Sequence, residues 1–189
     1  MILRPLLTFV FLCAAALCLP AAELATGNIH ALTFEDVDGG AISTADGHVT
    51  IITVVTRQNE AKARRVADLV PDRYVGDPKY RYVTLVNFQR KLAGPFQGLT
   101  RAIIRNRLDA EAKTLRPDYA TKHLSRDPRK DLHVIADFDG SAVARLGLPV
   151  ASNQVAVFLF GVKGKLLARW NDVPPGDALP SALAKSAGQ

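Results

Sequence analysis

One apolar segment limits the possible folds of this chain more than any other feature of its sequence. Every side chain of Val49–Val55 is β-branched, which favours a strand with both faces covered by other parts of the protein. The next segment, Asn59–Val70, has apolar residues at helical spacing and is ended by Pro71. A buried strand that leads directly into an amphipathic helix predicts an α/β fold with this strand inside a sheet.

The remaining elements predict a mixed central sheet with helices on both faces. Asp38-Gly39-Gly40 predicts an N-terminal hairpin, and Lys163-Gly164-Lys165 predicts a C-terminal hairpin that a last helix follows. The predicted strands are Ile29–Phe34, Val49–Val55, Tyr80–Phe88, Leu132–Phe138, Val155–Phe160 and Lys165–Trp170. The predicted helices are Asn59–Val70, Leu99–Leu115, a short helix from Ser141, and Asp177–Ala187.

The segment Leu99–Leu115 has the strongest helical pattern in the chain. Gly94-Pro95 predicts a loop before it, and Pro117 predicts its end. We expect one apolar stripe to be buried, and we expect opposite charges four residues apart to pair along the exposed side. The stripe consists of Leu99, Ile103, Ile104, Leu108 and Leu115, and the charge pairs are Arg105 with Asp109, Arg107 with Glu111, and Asp109 with Lys113.

The N-terminus has the layout of a secretory signal. Arg4 precedes the uncharged run Leu6–Leu19, and small residues close it at Ala21-Ala22. A membrane-spanning helix needs about 20 apolar residues, which is more than this run supplies. The sequence therefore predicts a signal peptide at residues 1–22, a single domain at 23–189, and a soluble bacterial protein in the periplasm or outside the cell.

The two cysteines, Cys13 and Cys18, both lie inside the predicted signal. Cleavage after Ala22 would leave a chain without any cysteine. Thiol–disulfide exchange, peroxide reduction by a thiolate and thiolate metal sites all require sulfur. We therefore expect the exported domain to be unable to carry out these reactions.

Several turn signatures resemble those of one superfamily. The segment FEDVDGGAISTADGHVTIITVVT, then Asp137-Phe138-Asp139-Gly140, Leu146-Gly147 and the Lys163-Gly164-Lys165 hairpin, follow the order found in thioredoxin-like proteins. The closer match is the exported redoxin branch, which includes alkyl-hydroperoxide-reductase-like and thiol-disulfide-oxidoreductase-like domains. The resemblance covers roughly Ile29–Ala187, with an insertion around 90–130, and it implies a thioredoxin-like fold.

The residues that carry redox chemistry in that superfamily have no counterpart in this sequence. The Cys-x-x-Cys region falls at Thr56–Glu60, where Asn59 occupies the position of the nucleophile, and an amide cannot act as a thiolate. The superfamily also places a cis-proline ahead of the strand that faces this motif. Here that position falls near Asn153-Gln154.

The strand-to-helix junction remains the candidate ligand or partner face. Backbone N–H groups at a helix start attract anions, and the adjacent Arg57 would strengthen that attraction. The residues of this face are Thr56, Arg57, Gln58, Asn59, Asn153 and Gln154. An ordinary capped helix start explains the same residues and is the preferred interpretation of the junction.

The sequence contains no clear metal, cofactor or catalytic motif. Asp131, His133, Asp137 and Asp139 all have odd numbers along one predicted strand, so they would project to the same side. Aspartates at strand ends and helix starts also serve as caps. We therefore assign no metal, cofactor or catalytic residue.

The function expected from these observations is a non-catalytic binding or assembly module that uses the former active-site face. The net charge of +6 is concentrated between Arg57 and Lys130, so an anionic envelope component or an unidentified protein is a candidate partner, whereas nucleic acid is not. The alternatives are a thiol-disulfide or peroxide oxidoreductase by descent, which the cysteine content opposes, and a non-thiol enzyme with a relocated site.

The predicted cleavage has a direct test. Removal of the first 22 of the 189 residues leaves 167 residues that begin at Glu23. We expect the intact mass of protein purified from its native envelope fraction to match that chain. A mass that retains Cys13 and Cys18 would contradict the expectation of a cysteine-free exported domain.

Overall fold

The computed structural model describes residues 23–89 and 94–186. The predicted signal peptide, residues 1–22, lies outside these ranges, as do residues 90–93 and 187–189. No helix within the described ranges is long and apolar enough to cross a membrane.

The described residues form strands and helices in nearly the predicted order. The strands are β1 (Thr33–Glu35), β2 (Ala41–Ser43), β3 (Val49–Thr56), β4 (Tyr80–Asn87), β5 (Leu132–Asp137), β6 (Ala156–Phe160) and β7 (Leu166–Trp170). The helices are α1 (Glu60–Asp68), α2 (Gly94–Thr121), α3 (Ser141–Arg145) and α4 (Ala178–Ser186), with 3₁₀ turns at Asp72–Tyr74 and Pro128–Asp131. Most of the predicted insertion around 90–130 is α2.

The central sheet has five strands in the order β5-β4-β3-β6-β7. Strands β3, β4 and β5 are parallel, whereas β6 is antiparallel to β3 and β7 is antiparallel to β6. Strands β1 and β2 form the predicted N-terminal hairpin as a separate two-stranded sheet. The prediction of a mixed α/β sheet is therefore confirmed.

Strand β3 lies at the centre of this sheet, and all eight of its residues are buried. Its side chains alternate between two apolar clusters because successive residues of a strand point to opposite faces. Ile52 and Val54 pack with α3 and the β1–β2 hairpin, and Ile51 and Val55 pack with α1 and α4. The β-branched run thus connects both halves of the core.

Helix α2 differs from its prediction at both ends. It begins at Gly94 and continues through Pro117 to Thr121, so the predicted loop at Gly94-Pro95 and the predicted end at Pro117 are wrong. A proline in the first helical turn needs no N–H partner, which allows the early start. Beyond Pro117, the buried Tyr119 holds the last turn against the protein, with its hydroxyl 2.7 Å from Oδ2 of Asp131.

The predicted apolar stripe of α2 is only partly buried. Leu99 is 61% exposed and Ile103 is 47% exposed, because arginines on another side of the helix bind the β1–β2 hairpin. Arg101 Nη1 lies 2.6 Å from Oε1 of Glu35, and Arg105 Nε donates to the carbonyl of Val37 at 2.8 Å. This side of α2 therefore faces the protein, and the N-terminal half of the stripe faces solvent.

The charged residues of α2 also pair differently from the prediction. Arg105 reaches Asp38, Arg107 reaches Glu60, and Asp109 reaches Arg129, so the ion pairs connect α2 to other segments instead of lying along the helix. The predicted pairs four residues apart are wrong. Contacts to fixed partners elsewhere in the fold replace them.

Arg129 pairs with two carboxylates and so connects its own segment to α2 and to the turn of the β1–β2 hairpin. Its guanidinium contacts Oδ2 of Asp38 at 2.7 Å and Oδ1 of Asp109 at 2.8 Å, and its side chain is 20% exposed. We expect Arg129→Ala to lower the free energy of unfolding by about 1–2 kcal/mol. This is the contribution typical of hydrogen bonds to charged groups, lowered because solvent screens the partly exposed partners. Urea titration measures the change.

The matched control is Arg116→Ala, which removes an exposed arginine of α2 that makes no ion pair within the described ranges. Its expected effect is within about 0.5 kcal/mol. Equal losses in the two variants would show that Arg129 does not anchor the helix.

Candidate functional site

Three buried polar residues lie side by side where the parallel strands end. Thr56, Asn87 and Asp137 are the last residues of β3, β4 and β5, and the strand register pairs Thr56 with Asn87 and Asn87 with Asp137. Their exposed fractions are 3%, 2% and 2%. In open α/β sheets, the carboxyl ends of the strands are the usual place for ligand sites.

Asn59 connects the start of α1 to the segment ahead of β6. Its Oδ1 accepts a hydrogen bond from the backbone N–H of Thr56 at 2.7 Å, and its Nδ2 donates to the carbonyl oxygen of Asn153 at 2.6 Å. The Asn59 side chain makes no cap hydrogen bond to α1. Asn59 therefore does not cap α1 with its side chain, and its amide instead joins the end of β3 to the segment ahead of β6.

Two more carboxamides hold the same segment. Asn87 Nδ2 donates to the carbonyl oxygen of Val150 at 2.8 Å. Gln89 Nε2 donates to the carbonyl oxygen of Ser152 at 2.9 Å and to Oδ1 of Asn153 at 2.7 Å. We call Asn59, Asn87 and Gln89 the carboxamide clamp, because together they fix the backbone of residues 150–153 against the ends of β3 and β4.

The clamp brings together part of the face that the sequence predicted. Thr56, Asn59 and Asn153 meet through the bonds of Asn59, whereas the side chains of Arg57, Gln58 and Gln154 are exposed around them. The described residues contain no cis peptide bond, including at Asn153-Gln154. Side-chain amides thus position this loop in a chain that has no cis-proline at that place.

Thr56 contributes a polar atom that the clamp does not use. Its hydroxyl is buried and has no hydrogen-bond partner within the described ranges. Buried hydroxyl groups are nearly always paired, so an unpaired one at the end of the central strand marks a place that can accept a further hydrogen bond.

Asp137 holds the start of α3. Its carboxylate accepts hydrogen bonds from the backbone N–H groups of Gly140 at 2.9 Å and Val143 at 2.8 Å. Burial raises the pKa of Asp137 above its ordinary value, and these backbone donors offset only part of that rise. Hydrogen bonds from Ser141 lower the pKa of the exposed Asp139. Asp137 therefore has a structural role as a helix cap.

The four residues that were considered for a metal site do not share one set of partners, although Asp137 and Asp139 interact with each other. His133 faces Asp36, Asp131 contacts Tyr119 and Arg126, and Asp139 accepts from the backbone N–H of Ser141. Residues 23–89 and 94–186 contain no group of three or more histidine, cysteine, aspartate or glutamate side chains that could hold a metal ion.

An exposed apolar stripe lies on α2 near the same edge of the sheet. Phe96 is 60% exposed, Leu99 is 61% exposed and Ile103 is 47% exposed, and their spacing places them on one side of the helix. One turn further along this side, Arg107 Nη1 lies 3.9 Å from Oε1 of Glu60 at the start of α1. The stripe therefore flanks the junction that the clamp holds.

Sequence reasoning did not identify Asn87 and Gln89 as part of the site. Both lie at or just after the end of the alternating apolar pattern of β4. No feature of the neighbouring sequence distinguishes them from ordinary strand-end residues. Their partners are more than 60 positions away along the chain. Only the folded arrangement shows the clamp.

No protein-family model matches this chain, and no curated protein matches it. Solved structures do match. One is a Chlorobium tepidum protein assigned as the thiol:disulfide interchange protein DsbE, with a TM-score of 0.53, 14% identity, and coverage of 87% of this chain and 99% of the other. The chain has a thioredoxin-like fold. The implied fold class is thus confirmed.

Two further structures agree with that fold. The exposed lipoprotein thioredoxin Etrx1 of Streptococcus pneumoniae matches with a TM-score of 0.50 and 16% identity, over 82% of this chain and 98% of the other. A peroxiredoxin-like protein of Aquifex aeolicus matches with a TM-score of 0.51 and 13% identity, over 87% and 89%. At these identities the matches establish the fold and leave the activity to be argued from the residues.

The clamp predicts a specific loss of stability. We expect Asn59→Ala to lower the free energy of unfolding by about 1–3 kcal/mol, because the buried N–H of Thr56 loses its acceptor. Hydrogen exchange of residues 150–154 should become faster in the same variant. Chemical denaturation and hydrogen–deuterium exchange measure the two effects.

Gln58→Ala is the matched control, since Gln58 is adjacent and exposed. Its effect should stay within about 0.5 kcal/mol, with unchanged exchange at residues 150–154. If Asn59→Ala behaves like this control, the clamp does not hold the loop.

Proposed function

We propose that this protein is an exported, non-catalytic binding or assembly module of the bacterial periplasm or cell exterior. Its binding face is the carboxyl edge of the central sheet, with the junction Thr56–Asn59 at its centre and the exposed stripe of α2 beside it. The partner is a polypeptide of the cell envelope.

The observation that carries this proposal is the use of Asn59. Both functional groups of its amide are engaged, one with the N–H of Thr56 and the other with the carbonyl of Asn153. A nucleophile at this position would need a free thiolate, and residues 23–189 contain no cysteine. The position therefore supports a fixed surface and not a reacting group.

The exposed stripe supplies the affinity that such a surface needs. Phe96, Leu99 and Ile103 are three exposed apolar side chains on one side of α2, and exposed apolar patches on folded proteins commonly mark interaction sites. Aromatic and large aliphatic anchors dominate the energy of protein–protein interfaces. The stripe is consistent with a polypeptide partner, because a purely anionic component would be held by charge alone.

The rim of this face is basic. Arg57 is exposed beside the junction, and the side chain of Arg107 is 73% exposed at the end of the stripe. Rim charges mainly affect association rates and the choice of partner. A partner segment with apolar anchors and acidic flanks would fit this arrangement.

Site-specific photo-crosslinking in the native cell envelope tests the proposal. A photoreactive phenylalanine analogue at Leu99 should yield one discrete cross-linked polypeptide, whereas the same analogue at Lys113, an exposed position on α2 beyond the stripe, should not. A competing copy that carries Ile103→Asp should fail to reduce the yield, while the unmodified protein should reduce it at least fivefold.

Equal cross-linking at Leu99 and Lys113, or full competition by the Ile103→Asp protein, would contradict the proposed face. Cross-linking that disappears in high salt but tolerates Ile103→Asp would instead indicate an anionic component held by the basic rim.

A further inference from the structure

A cavity lies under α1, apart from the candidate site described above. It has a volume of about 200 Å³, is partly open to solvent, and is bounded by one face of β3 and β4, by α1 with the segment that follows it, and by the last turns of α2. We call it the α1–α2 cavity. Its floor includes Thr53 and Thr84, its roof includes Ala63 and Ala67, and Tyr119 lies at its rim. It contains none of the clamp residues.

The cavity exists because small side chains face each other between the sheet and α1, where Ala63 is half-buried and Ala67 is exposed at the opening. Thr53 and Thr84 are direct neighbours in the β3–β4 register, and Ala63 and Ala67 stand one helical turn apart on α1 above the same region. Protein interiors are normally packed to the density of organic crystals, with few voids larger than a water molecule. A helix with larger apolar residues at these two positions would fill the space.

The floor carries two polar atoms in an apolar surrounding. Within the described ranges, neither the Thr53 nor the Thr84 hydroxyl makes a hydrogen bond, although Thr53 is only 7% exposed. Most of the other lining residues are aliphatic or aromatic. This pattern, an apolar pocket with a small number of polar groups at fixed positions, is typical of small-molecule sites.

The other polar groups of the cavity already have partners. The Tyr80 hydroxyl, which also lines it, interacts with the Ser186 side chain. The Tyr119 hydroxyl donates to Oδ2 of Asp131 at 2.7 Å, Arg126 pairs with Asp131, and the Tyr82 hydroxyl donates to the carbonyl of Tyr74 at 3.3 Å. Burial raises the pKa of Tyr82 and Tyr119, so both hydroxyls stay neutral. The two threonines thus remain as the groups that a ligand can pair with, and no unpaired charge is present to hold an ion.

We propose that the α1–α2 cavity binds a small neutral aromatic molecule that carries one hydrogen-bonding group, of the phenol or indole class. A cavity of about 150 Å³ accommodates benzene, so the volume here fits one substituted ring or a small bicyclic ring. A charged ligand is excluded because burial without a counter-ion is strongly unfavourable. The polar group of the ligand pairs with the Thr53 and Thr84 hydroxyls.

Titration of the isotope-labelled protein with p-cresol, indole and toluene, followed by amide NMR, tests this site. We expect saturable shifts centred on Thr53, Ala63, Ala67 and Thr84 for all three probes. In the Thr53→Val, Thr84→Val double variant, the affinity for p-cresol should fall at least fivefold, while the affinity for toluene should stay within twofold. The ratio of the two affinities distinguishes recognition of the polar group from simple filling of a void.

Two filling variants and one control complete the test. Ala63→Leu or, if that protein does not fold, Ala67→Leu should abolish the shifts, whereas Ala61→Leu, on the exposed side of α1, should bind as the unmodified protein does. Absence of saturable shifts with all three probes would overturn the proposal. It would also be overturned by binding that survives the filling variants, or by equal losses for p-cresol and toluene in the valine variant. None of these outcomes bears on the clamp or on the α2 stripe.

Discussion

The hydrogen bonds of Asn59 determine the character of the carboxyl edge of this sheet. One amide joins the N–H of Thr56, at the end of the central strand, to the carbonyl of Asn153, ahead of the neighbouring antiparallel strand. The first bond satisfies a backbone N–H of the buried Thr56, and leaving such a group unpaired is unfavourable. The second reaches the exposed segment at Asn153. In place of a reactive residue at the start of α1, the chain has a connection that is part of the fold.

This connection joins the two segments at which the resemblance to thioredoxin-like proteins places the redox motif and the cis-proline. The strand-to-helix junction, the facing loop and the row of Thr56, Asn87 and Asp137 are all present at the expected edge. Asn87 and Gln89 hold the facing loop from β4, and Asp137 is occupied as the cap of α3. These contacts hold the edge in one arrangement, and such preorganisation would favour the proposed binding because little further ordering is needed. Helix α1 begins at this surface and also covers the α1–α2 cavity, so it belongs to both proposed sites.

The sequence predicted those parts of the fold that depend on local pattern. The β-branched run of β3, the α1 helix, both hairpins and the short α3 all follow from periodicity and turn residues, and all are present. The predictions for α2 were wrong in orientation and charge pairs because Arg101, Arg105 and Arg129 connect this region to the β1–β2 hairpin. They were wrong in its ends because a proline is tolerated in the first turn and the buried Tyr119 holds the last turn. The resemblance placed Asn59 and Asn153 on one face, but the contributions of Asn87 and Gln89 could not have been predicted, since their amides reach partners more than 60 positions away. Long-range polar contacts leave no periodic signal in a single sequence.

The most direct test of the account is thiol-dependent turnover by protein purified from its native envelope fraction, measured as insulin reduction and as peroxide reduction with dithiothreitol as electron donor. The account predicts that both rates equal those of dithiothreitol alone and that prior alkylation of the protein changes neither. A rate above that background which alkylation abolishes would contradict it, because a cysteine would then take part in the working protein and the edge would be a redox centre.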